Sequence, residues 1–323
     1  MSSSAPRRAV AFAPASVGNV AVGFDLLGFC LGEVGDRITV ERIESPEVLV
    51  RRTDLPLPQD PSANTATAGL VALRDDLGLR FGFAVSIEKG IALGSGMGGS
   101  AASAVGAIVA ANALLPEPLS PSALLTYALI GEAVASGSYH PDNVAPCLLG
   151  GLTAARMVED EPVVGGGKPR ARAEAFAIPV PPGIWCALVR PHVRLETKVS
   201  RGLLRPDVTL RDHVRQSALL TGFIAGCFQN DLGLIKRSLS DVIVEPQRAG
   251  QIAGFSAAKA AALEAGALGC SIAGAGPSVF AWADGEERAH EVMRAMRSAI
   301  TLAGSDCSAW TVRLPAPGAR LIK

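Results

Sequence analysis

A glycine-rich run, Gly94-Ser95-Gly96-Met97-Gly98-Gly99-Ser100, carries the clearest chemistry in the sequence. It follows an apolar stretch typical of a strand and precedes an alanine-rich stretch typical of a helix. Because glycine allows positive φ and close approach to the main chain, consecutive amides of such a run can point at one anion. The N-terminus of the following helix would add unpaired NH groups and the positive end of its dipole. The run predicts a phosphate-binding loop, with a tight turn built only for packing as the alternative.

The two common nucleotide-binding motifs fit this loop poorly. Gly94, Gly96 and Gly99 match the G-x-G-x-x-G pattern, but a dinucleotide fold also needs a following strand that ends in an acidic residue. Here the proline-rich run 116–121 leads into another helical pattern instead. The Walker pattern also fails, since neither Gly-Lys-Ser nor Gly-Lys-Thr occurs in the sequence. The loop therefore indicates a different kind of nucleotide site.

Polar residues in apolar surroundings are the next candidates. Asp25 lies between Phe24 and Leu26, where burial would be costly without a partner such as a substrate ammonium or hydroxyl group. Glu132 has apolar neighbours and could give Mg²⁺ the carboxylate oxygen that hard cations prefer, although most helical glutamates are simply solvated. Asn19 stands in a glycine-rich turn, where asparagine is often only a turn former.

A second polar run, Ser138-Tyr139-His140-Pro141-Asp142-Asn143, follows Glu132 in the sequence. Runs of this kind are usually solvent-facing turns. The alternative is a functional loop next to the helical pattern that carries Glu132.

Length and charge limit the classes of function. At 323 residues the chain is long enough for about two domains. Thirty basic and thirty acidic residues give a formal net charge of zero without a long basic run, which disfavours a nucleic-acid partner. Prolines and glycines interrupt the uncharged stretches near residues 14–24 and 90–115, so we expect no export signal and no membrane span. The six cysteines are widely spaced, which predicts reduced thiols in a cytoplasmic protein.

Hydrophobic periodicity predicts strands and helices in both halves of the chain, and this mixture indicates an α+β or α/β protein. The predicted strands are Arg8 to Ala13, Arg37 to Ile43, Phe81 to Ile87, Ile184 to Val189, Val279 to Ala283 and Ala309 to Leu314. The predicted helices are Ala63 to Leu77, Gly98 to Leu115, Pro121 to Ala135, Leu210 to Gln229, Leu232 to Asp241, Ala253 to Ala265 and Glu286 to Leu302. The tract Glu159 to Arg172 has no hydrophobic period and is predicted to be a surface loop.

Five segments, taken in order, resemble the homoserine kinases, a branch of the GHMP small-molecule kinases. Gly94 to Ser103 is similar to the second GHMP signature, and Gly274-Ala275-Gly276-Pro277-Ser278 is similar to the third. The other three segments are Ala13 to Gly28, Gly137 to Cys147 and Glu245 to Arg248. Two residues depart from the family pattern: Gly99 stands where serine is usual, and Ala92 stands where proline is usual.

The resemblance implies an α+β, two-domain GHMP kinase fold. We expect an N-terminal ATP-binding domain over residues 1–165, with a left-handed βαβ crossover, and a ferredoxin-like C-terminal domain over residues 166–323. It implies ATP-dependent phosphorylation of L-homoserine to O-phospho-L-homoserine for threonine synthesis, with ATP and Mg²⁺ in a cleft between the domains. Two alternatives remain open: a kinase for another small alcohol, and an ATP-binding sensor without catalysis. The sequence also leaves open whether the chain forms a homodimer.

The resemblance also assigns roles to individual residues. The predicted catalytic residues are Asn143, Arg201, Ser100 and Glu132, of which Ser100 and Glu132 would hold the metal. The predicted substrate-binding residues are Asn19, Asp25, His140, Arg201 and Arg248. The predicted nucleotide-binding residues are Asn64, Lys89, Ala92, Leu93, Gly94, Ser95, Gly96, Met97, Gly98, Gly99, Ser100, Ala101 and Ala102. Because Asn143 stands where several related kinases have an aspartate base, we expect direct transfer without a strong general base.

Overall fold

The computed structural model describes residues 6–158 and 172–323, and in them the chain forms two β-sheets with helices packed on them. The strands are β1 (Arg8–Gly18), β2 (Leu27–Ile43), β3 (Val48–Thr53), β4 (Gly82–Glu88), β5 (Leu152–Val158), β6 (Arg172–Ile178), β7 (Ile184–Pro191), β8 (Gly269–Ile272), β9 (Val279–Asp284), β10 (Cys307–Arg313) and β11 (Arg320–Ile322). The helices are α1 (Thr65–Asp76), α2 (Gly99–Asn112), α3 (Pro121–Ser136), α4 (Pro141–Leu149), α5 (Thr197–Gly202), α6 (Leu210–Gln229), α7 (Leu232–Ser238), α8 (Glu245–Arg248), α9 (Phe255–Glu264) and α10 (Glu286–Leu302). The α+β mixture predicted from the sequence is confirmed.

The first sheet has the order β11-β1-β2-β4-β3, and β5 and β6 extend it from β2. Only β3 and β4 pair in parallel; the other pairs are antiparallel. The alanine-rich helix α2 packs against β1 and β2, because its small side chains let the helix lie close to the sheet. The pairing of β1 with β2 shifts register between Pro14 and Ser16, so β1 bends next to the glycine-rich loop.

The second sheet is antiparallel throughout and has the order β10-β7-β9-β8. Helices α9 and α10 pack against one another and against its strands. Aromatic side chains connect the two sheets: the ring of Phe29 lies edge-on to Phe280 at 5.5 Å and to Trp282 at 5.7 Å, and all three are buried. The two sheets are therefore joined by a shared hydrophobic core.

The sequence missed several elements because tertiary contacts stabilise them. The predicted strand Arg37 to Ile43 is only the second half of β2, whose first half pairs with β1 and β5. The polar run 138–143 was predicted to be a loop, yet its last three residues begin α4, where Pro141 occupies the first turn. The strands β3, β5, β6, β8 and β11 and the short helices α5 and α8 were also missed.

The domain division at residue 165 stays a prediction. That position, with most of the surface loop predicted over Glu159 to Arg172, lies outside the described residues. Strand β6 still belongs to the first sheet, and the second sheet begins with β7. The handedness of the crossover also stays a prediction.

Two predictions on covalent and membrane properties can be compared with the described residues. All six cysteines are free, and five are buried, as predicted. Among the helices of residues 6–158 and 172–323, none combines the length and apolar character needed to cross a bilayer.

Candidate active site

The glycine-rich loop connects β4 to α2 and takes the conformation that its glycines were predicted to allow. Gly94, Gly96 and Gly98 all have left-handed backbone angles, with φ of 63°, 75° and 65°. Helix α2 begins at Gly99, so Gly98 occupies the cap position without a capping side chain. Ser100 therefore does not cap the helix, and its hydroxyl stays available for another partner.

The third signature, Gly274 to Ser278, packs directly on this loop. The Ser278 hydroxyl donates to the Ser95 carbonyl oxygen at 2.7 Å, and the Ser278 amide donates to the same oxygen at 3.2 Å. A Cβ atom on Gly96 would lie 2.5 Å from the Gly276 carbonyl oxygen and 2.6 Å from that of Ala273. Glycine is therefore required at position 96 by both its φ angle and its neighbours.

A cavity of about 550 Å³ opens beside the loop, a size within the range of small-molecule sites. Most of the predicted nucleotide-binding residues line it: Asn64, Lys89, Ala92, Leu93, Gly94, Ser95, Gly96, Gly98, Gly99 and Ser100. Met97, Ala101 and Ala102 do not, because their side chains are buried in the core beneath the loop. Met97 instead accepts the Ser16 amide on its carbonyl oxygen at 3.1 Å, which ties the loop to β1.

Lys89 and Asn64 line the cavity, but their polar groups make contacts within the protein. The Lys89 ammonium is ion-paired with buried Asp36 and also donates to the Gly99 carbonyl at 2.7 Å and to the Ser103 hydroxyl at 2.9 Å. A lysine has three N–H donors, so each of them has a protein acceptor here. The Asn64 side chain accepts from the Ala66 amide at 2.9 Å and caps α1.

The residue at position 99 departs from the family pattern without disturbing the loop. A Cβ atom on Gly99 would lie 3.2 Å from Ile91 Cγ2 and 3.5 Å from the Lys89 ammonium. A side chain at this position would thus meet the wall that carries Lys89. The Gly99 carbonyl keeps its bond to Lys89, and α2 starts normally.

Four of the predicted substrate residues form one cluster of charged side chains. Arg201 Nη2 donates to both carboxylate oxygens of Asp25, at 2.8 and 2.9 Å. His140 Nδ1 lies 3.6 Å from Asp25 Oδ1 and 3.4 Å from Arg201 Nη2. The guanidinium groups of Arg201 and Arg248 lie 5.3 and 5.4 Å from the centre of the Phe24 ring. Burial lowers the pKa of His140, although the charge of Asp25 opposes this shift.

The turn after β1 positions Asp25 through a strained backbone. Asn19, Val20, Ala21 and Asp25 all have positive φ, which is costly for residues with a side chain and is concentrated at functional sites. Asn19 holds the turn: its oxygen accepts the Asp25 amide at 3.0 Å, and its amide donates to the Gly274 carbonyl at 2.9 Å. Here asparagine acts as a turn former.

Gly274 connects the cluster to the glycine-rich loop. Its carbonyl accepts from both Asn19 and Arg248, the latter at 3.2 Å, and a Cβ atom on it would lie 3.1 Å from the Gly96 carbonyl oxygen. The loop and the charged cluster are therefore neighbours across the third signature.

Asn143 lies between the loop and Asp142. Its oxygen accepts the Ser16 hydroxyl at 2.9 Å, and its amide donates to Asp142 Oδ2 at 3.1 Å. A Cβ atom on Gly98 would lie 2.2 Å from the Ser16 hydroxyl and 2.9 Å from the Asn143 oxygen. These hydrogen-bonded side chains therefore lie directly against the loop. Burial, together with the charge of Asp25, raises the pKa of Asp142 to about 7.

Glu132 and Ser100 form the predicted metal pair. Glu132 is buried, its Oε2 atom has no hydrogen-bond partner, and Ser100 is hydrogen-bonded to its carboxyl group. Burial raises the pKa of Glu132 to about 7, the Ser100 bond opposes the shift, and the charge of Asp142 adds to it. No cluster of three or more acidic, histidine or cysteine ligands occurs within residues 6–158 and 172–323.

Sequence reasoning missed several residues of the site. Asp36 gave no local signal, because Arg37 follows it and Glu33 lies three residues before it, whereas Ser16 lies within the segment Ala13 to Gly28 that carries the resemblance. The segment 194–198 gave no signal: it has no glycine or motif, and it reaches the cavity only through tertiary packing. The remaining missed residues of the lining are Pro56, Leu57, Pro58, Ala63, Thr65, Ser103, Val134 and Ala135.

This geometry suits a reaction between a phosphate anion and a small charged molecule. The loop and the start of α2 offer main-chain donors to the anion, and the cluster offers one carboxylate and two guanidinium groups to the other reactant.

Comparisons with known proteins agree with this picture. Residues 64–151 match the family described as GHMP kinases N terminal domain, and residues 223–301 match GHMP kinases C terminal. A curated homoserine kinase of Xylella fastidiosa (strain M12) is 49% identical over 98% of this chain and 94% of its own length. The homoserine kinase of Chlorobium phaeovibrioides is 38% identical over 96% and 98%.

Solved structures show the same fold. The crystal structure of homoserine kinase from Cytophaga hutchinsonii aligns with a TM-score of 0.90 and 36% identity, covering 100% of this chain and 99% of that one. L. major mevalonate kinase, in complex with R-mevalonate, aligns at 15% identity with a TM-score of 0.70 over 98% and 100% of the two chains, which shows a likeness of fold alone. The expected two-domain architecture is confirmed.

Proposed function

The chain belongs to the homoserine kinases, a branch of the GHMP kinases, and we propose that it transfers the γ-phosphoryl group of ATP to the side-chain hydroxyl of L-homoserine. The product is O-phospho-L-homoserine, an intermediate for threonine synthesis. The observation that carries the proposal is the contact of two unlike sites at Gly274: a loop of left-handed glycines on one side, and paired acidic and basic side chains on the other.

The charged cluster matches the two charges of an amino acid. Asp25 would accept the substrate ammonium group, and Arg201 and Arg248 would bind its carboxylate. Guanidinium groups suit this task because their N–H donors match the two oxygens of a carboxylate. His140 and Asn19 complete the cluster, His140 as a direct contact and Asn19 by holding the turn that carries Asp25.

The nucleotide would occupy the large cavity with its triphosphate at the loop. Consecutive amides of residues 94–100 and the N-terminus of α2 would donate hydrogen bonds to phosphate oxygens. Phosphoryl transfer needs chiefly in-line positioning and charge neutralisation, and holding both reactants in place lowers the barrier by roughly 7–11 kcal/mol.

The residues around Glu132 fit a magnesium ion. Mg²⁺ prefers oxygen ligands and takes one or two carboxylates beside the phosphates of its nucleotide. Glu132 offers one buried carboxyl group with an unpartnered oxygen, and the Ser100 hydroxyl is hydrogen-bonded to that group. When bound, the ion neutralises negative charge on the phosphates. Glu132 and Ser100 would hold it.

We propose that the hydroxyl proton of homoserine leaves without a strong general base. Asn143 cannot accept a proton at its amide, and its two side-chain contacts orient it between Ser16 and Asp142. The proton would leave through the γ-phosphate or water. Asp142 has a pKa near neutrality, so replacing it is the sharpest check: Asp142→Asn should keep most of the turnover, and a loss of about a hundredfold or more, the range that a general base typically contributes, would contradict direct transfer.

The experiment that tests the proposed function is ADP release with a panel of alcohols. L-Homoserine, mevalonate, a sugar and shikimate are assayed separately with ATP and Mg²⁺, and ATP binding is measured without an acceptor. Turnover with homoserine alone supports the proposal. Turnover with another acceptor would instead support a kinase for a different alcohol, and ATP binding without turnover would support a sensor. The cytoplasmic location stays a prediction.

A further inference from the structure

We propose that Arg194 and Lys198, from the segment that leads into α5, are the cationic partners of the nucleotide's phosphates. The inference rests on the proposed nucleotide site and adds two binding residues to it. It starts from the charges on the cavity wall. A nucleoside triphosphate brings several negative charges, and main-chain amides supply no net positive charge to balance them.

Within the described residues, the cationic side chains that line the cavity are Lys89, Arg194 and Lys198. Lys89 is not available to bind a phosphate, because its side chain is 2% exposed and its three N–H donors bind Asp36, Gly99 and Ser103. Breaking its ion pair would leave Asp36 as a buried unpaired carboxylate. Lys89 therefore neutralises the protein's own charge, and the other two cations remain for the phosphates.

Arg194 is held against the loop by its main chain and its stem. The Leu195 amide donates to the Gly94 carbonyl at 3.1 Å, and a Cβ atom on Gly94 would lie 2.5 Å from Arg194 Cγ. The hydrocarbon part of Arg194 thus packs on the first glycine of the loop. Its guanidinium group remains solvent-accessible, with Glu196 at 3.8 Å as a weak partner that a phosphate could replace.

Lys198 lies in the first turn of α5, and Arg201 in the last turn of the same helix contacts Asp25. One short segment thus contributes to both halves of the site, with Arg194 and Lys198 on the nucleotide side. Both cations lie in the segment that follows β7 of the second sheet, whereas the glycine-rich loop follows β4 of the first sheet. The nucleotide would therefore contact residues from both parts of the protein.

The test replaces each charge and keeps most of the side chain. Arg194→Gln and Lys198→Gln are compared with wild type for binding of AMP, ADP and ATP by calorimetry, without homoserine. The matched control is Lys236→Gln, an exposed lysine on α7 that does not line the cavity. Thermal unfolding verifies that each variant is folded, and Lys198 is exposed, so at least this variant reports on binding.

We expect each variant to weaken ATP binding by about threefold to tenfold, as charge-assisted contacts near the surface do. The loss should be smaller for ADP and nearly absent for AMP, and Arg194→Lys should restore most of the affinity. Equal losses for all three nucleotides would overturn the proposal, because they would indicate a structural role. Unchanged ATP binding in both variants would overturn it as well.

These outcomes are separable from the proposed function. If the wild type binds ATP but does not phosphorylate homoserine, the proposed function fails, while the binding series still decides the role of the two cations.

Discussion

The two halves of the site differ in what builds them. The nucleotide side is made of main chain: left-handed glycines hold the loop open beside a cavity of about 550 Å³. The amino-acid side is made of side chains, and these bind one another: Arg201 Nη2 donates to both carboxylate oxygens of Asp25.

This difference has a physical cause. A glycine loop cannot collapse, because its φ angles and its contact with the third signature fix it. Charged side chains cannot stay unpaired when partly buried, so they satisfy each other until a substrate replaces them. The nucleotide half is therefore preformed, whereas the amino-acid half must exchange an internal ion pair for the two charges of its ligand.

The strongest way to break the preformed half is Gly96→Val. The new Cβ would meet the carbonyl oxygens of Ala273 and Gly276 at 2.6 and 2.5 Å, and valine is strained at a φ of 75°. We expect a loss of ATP affinity above roughly a thousandfold and a lower melting temperature, since neither backbone neighbour can yield cheaply. Gly285→Ala is the control: its φ is 93°, but nothing lies within 4 Å of the added atom, so ATP binding should be kept. Normal ATP binding by Gly96→Val would contradict a rigid loop.

The next largest expected effect concerns the buried ion pair of Lys89 with Asp36, which contacts the loop through the Gly99 carbonyl. Lys89→Met leaves buried Asp36 without its ion-pair partner, and we expect a loss of about 3–5 kcal/mol in the free energy of unfolding, measured in urea. The double variant with Asp36→Asn should recover most of this loss, because the asparagine oxygen can still accept the amides of Gly90 and Ile91. A loss below about 1 kcal/mol in the single variant would show that the pair does not anchor the loop.

A third change affects only the side-chain half. Asp25→Asn keeps the shape and tolerates the φ of 58°, but its neutral amide cannot neutralise an ammonium group. We expect the KM for homoserine to rise by about 10–100-fold while the KM for ATP stays within about twofold. Asp207→Asn, on the surface, is the control. A matching loss of ATP binding would show that the two halves are not independent.

The smallest expected effect is a change in how the free energy of unfolding depends on pH. The pKa of Asp142 is raised by burial from 3.8 to about 7, so the folded protein binds a proton more tightly than the unfolded chain. The unfolding free energy of wild type should therefore fall as pH rises from about 4 to 7, since the native state must give up that proton. Asp142→Asn should flatten this slope and be more stable than wild type near pH 8, by on the order of 1–3 kcal/mol. Denaturant titrations without nucleotide or metal measure it, and parallel pH slopes would refute the assignment.

The preformed half was also the half that the sequence predicted best. Glycine at positions 94, 96 and 98 has few structural uses other than positive φ or close approach, so identity alone predicted the loop. The strands and helices with strong hydrophobic periods were found for the same local reason. The side-chain half depended on resemblance, because nothing local about Arg201 or Arg248 separates them from surface arginines.

The remaining errors share one cause, which is stabilisation by distant contacts. Helix α4 contains Pro146 and starts at Pro141, so its local preference favours a loop, yet its buried face packs on the first sheet. Met97 stays a predicted nucleotide contact through its main chain, because its side chain is buried in the core. Lys89 was predicted from the resemblance and does line the cavity, but only the fold brings Asp36 to it.

Strand β11 has a consequence for how the protein is made. Residues 320–322 pair with β1 near the start of the chain, so the first sheet is completed by residues that leave the ribosome after the whole second sheet. Until then, one edge of β1 remains unpaired, and such edges invite association with other chains. During translation, the first sheet stays incomplete until β11 has been synthesised. A chaperone would be most useful in this interval.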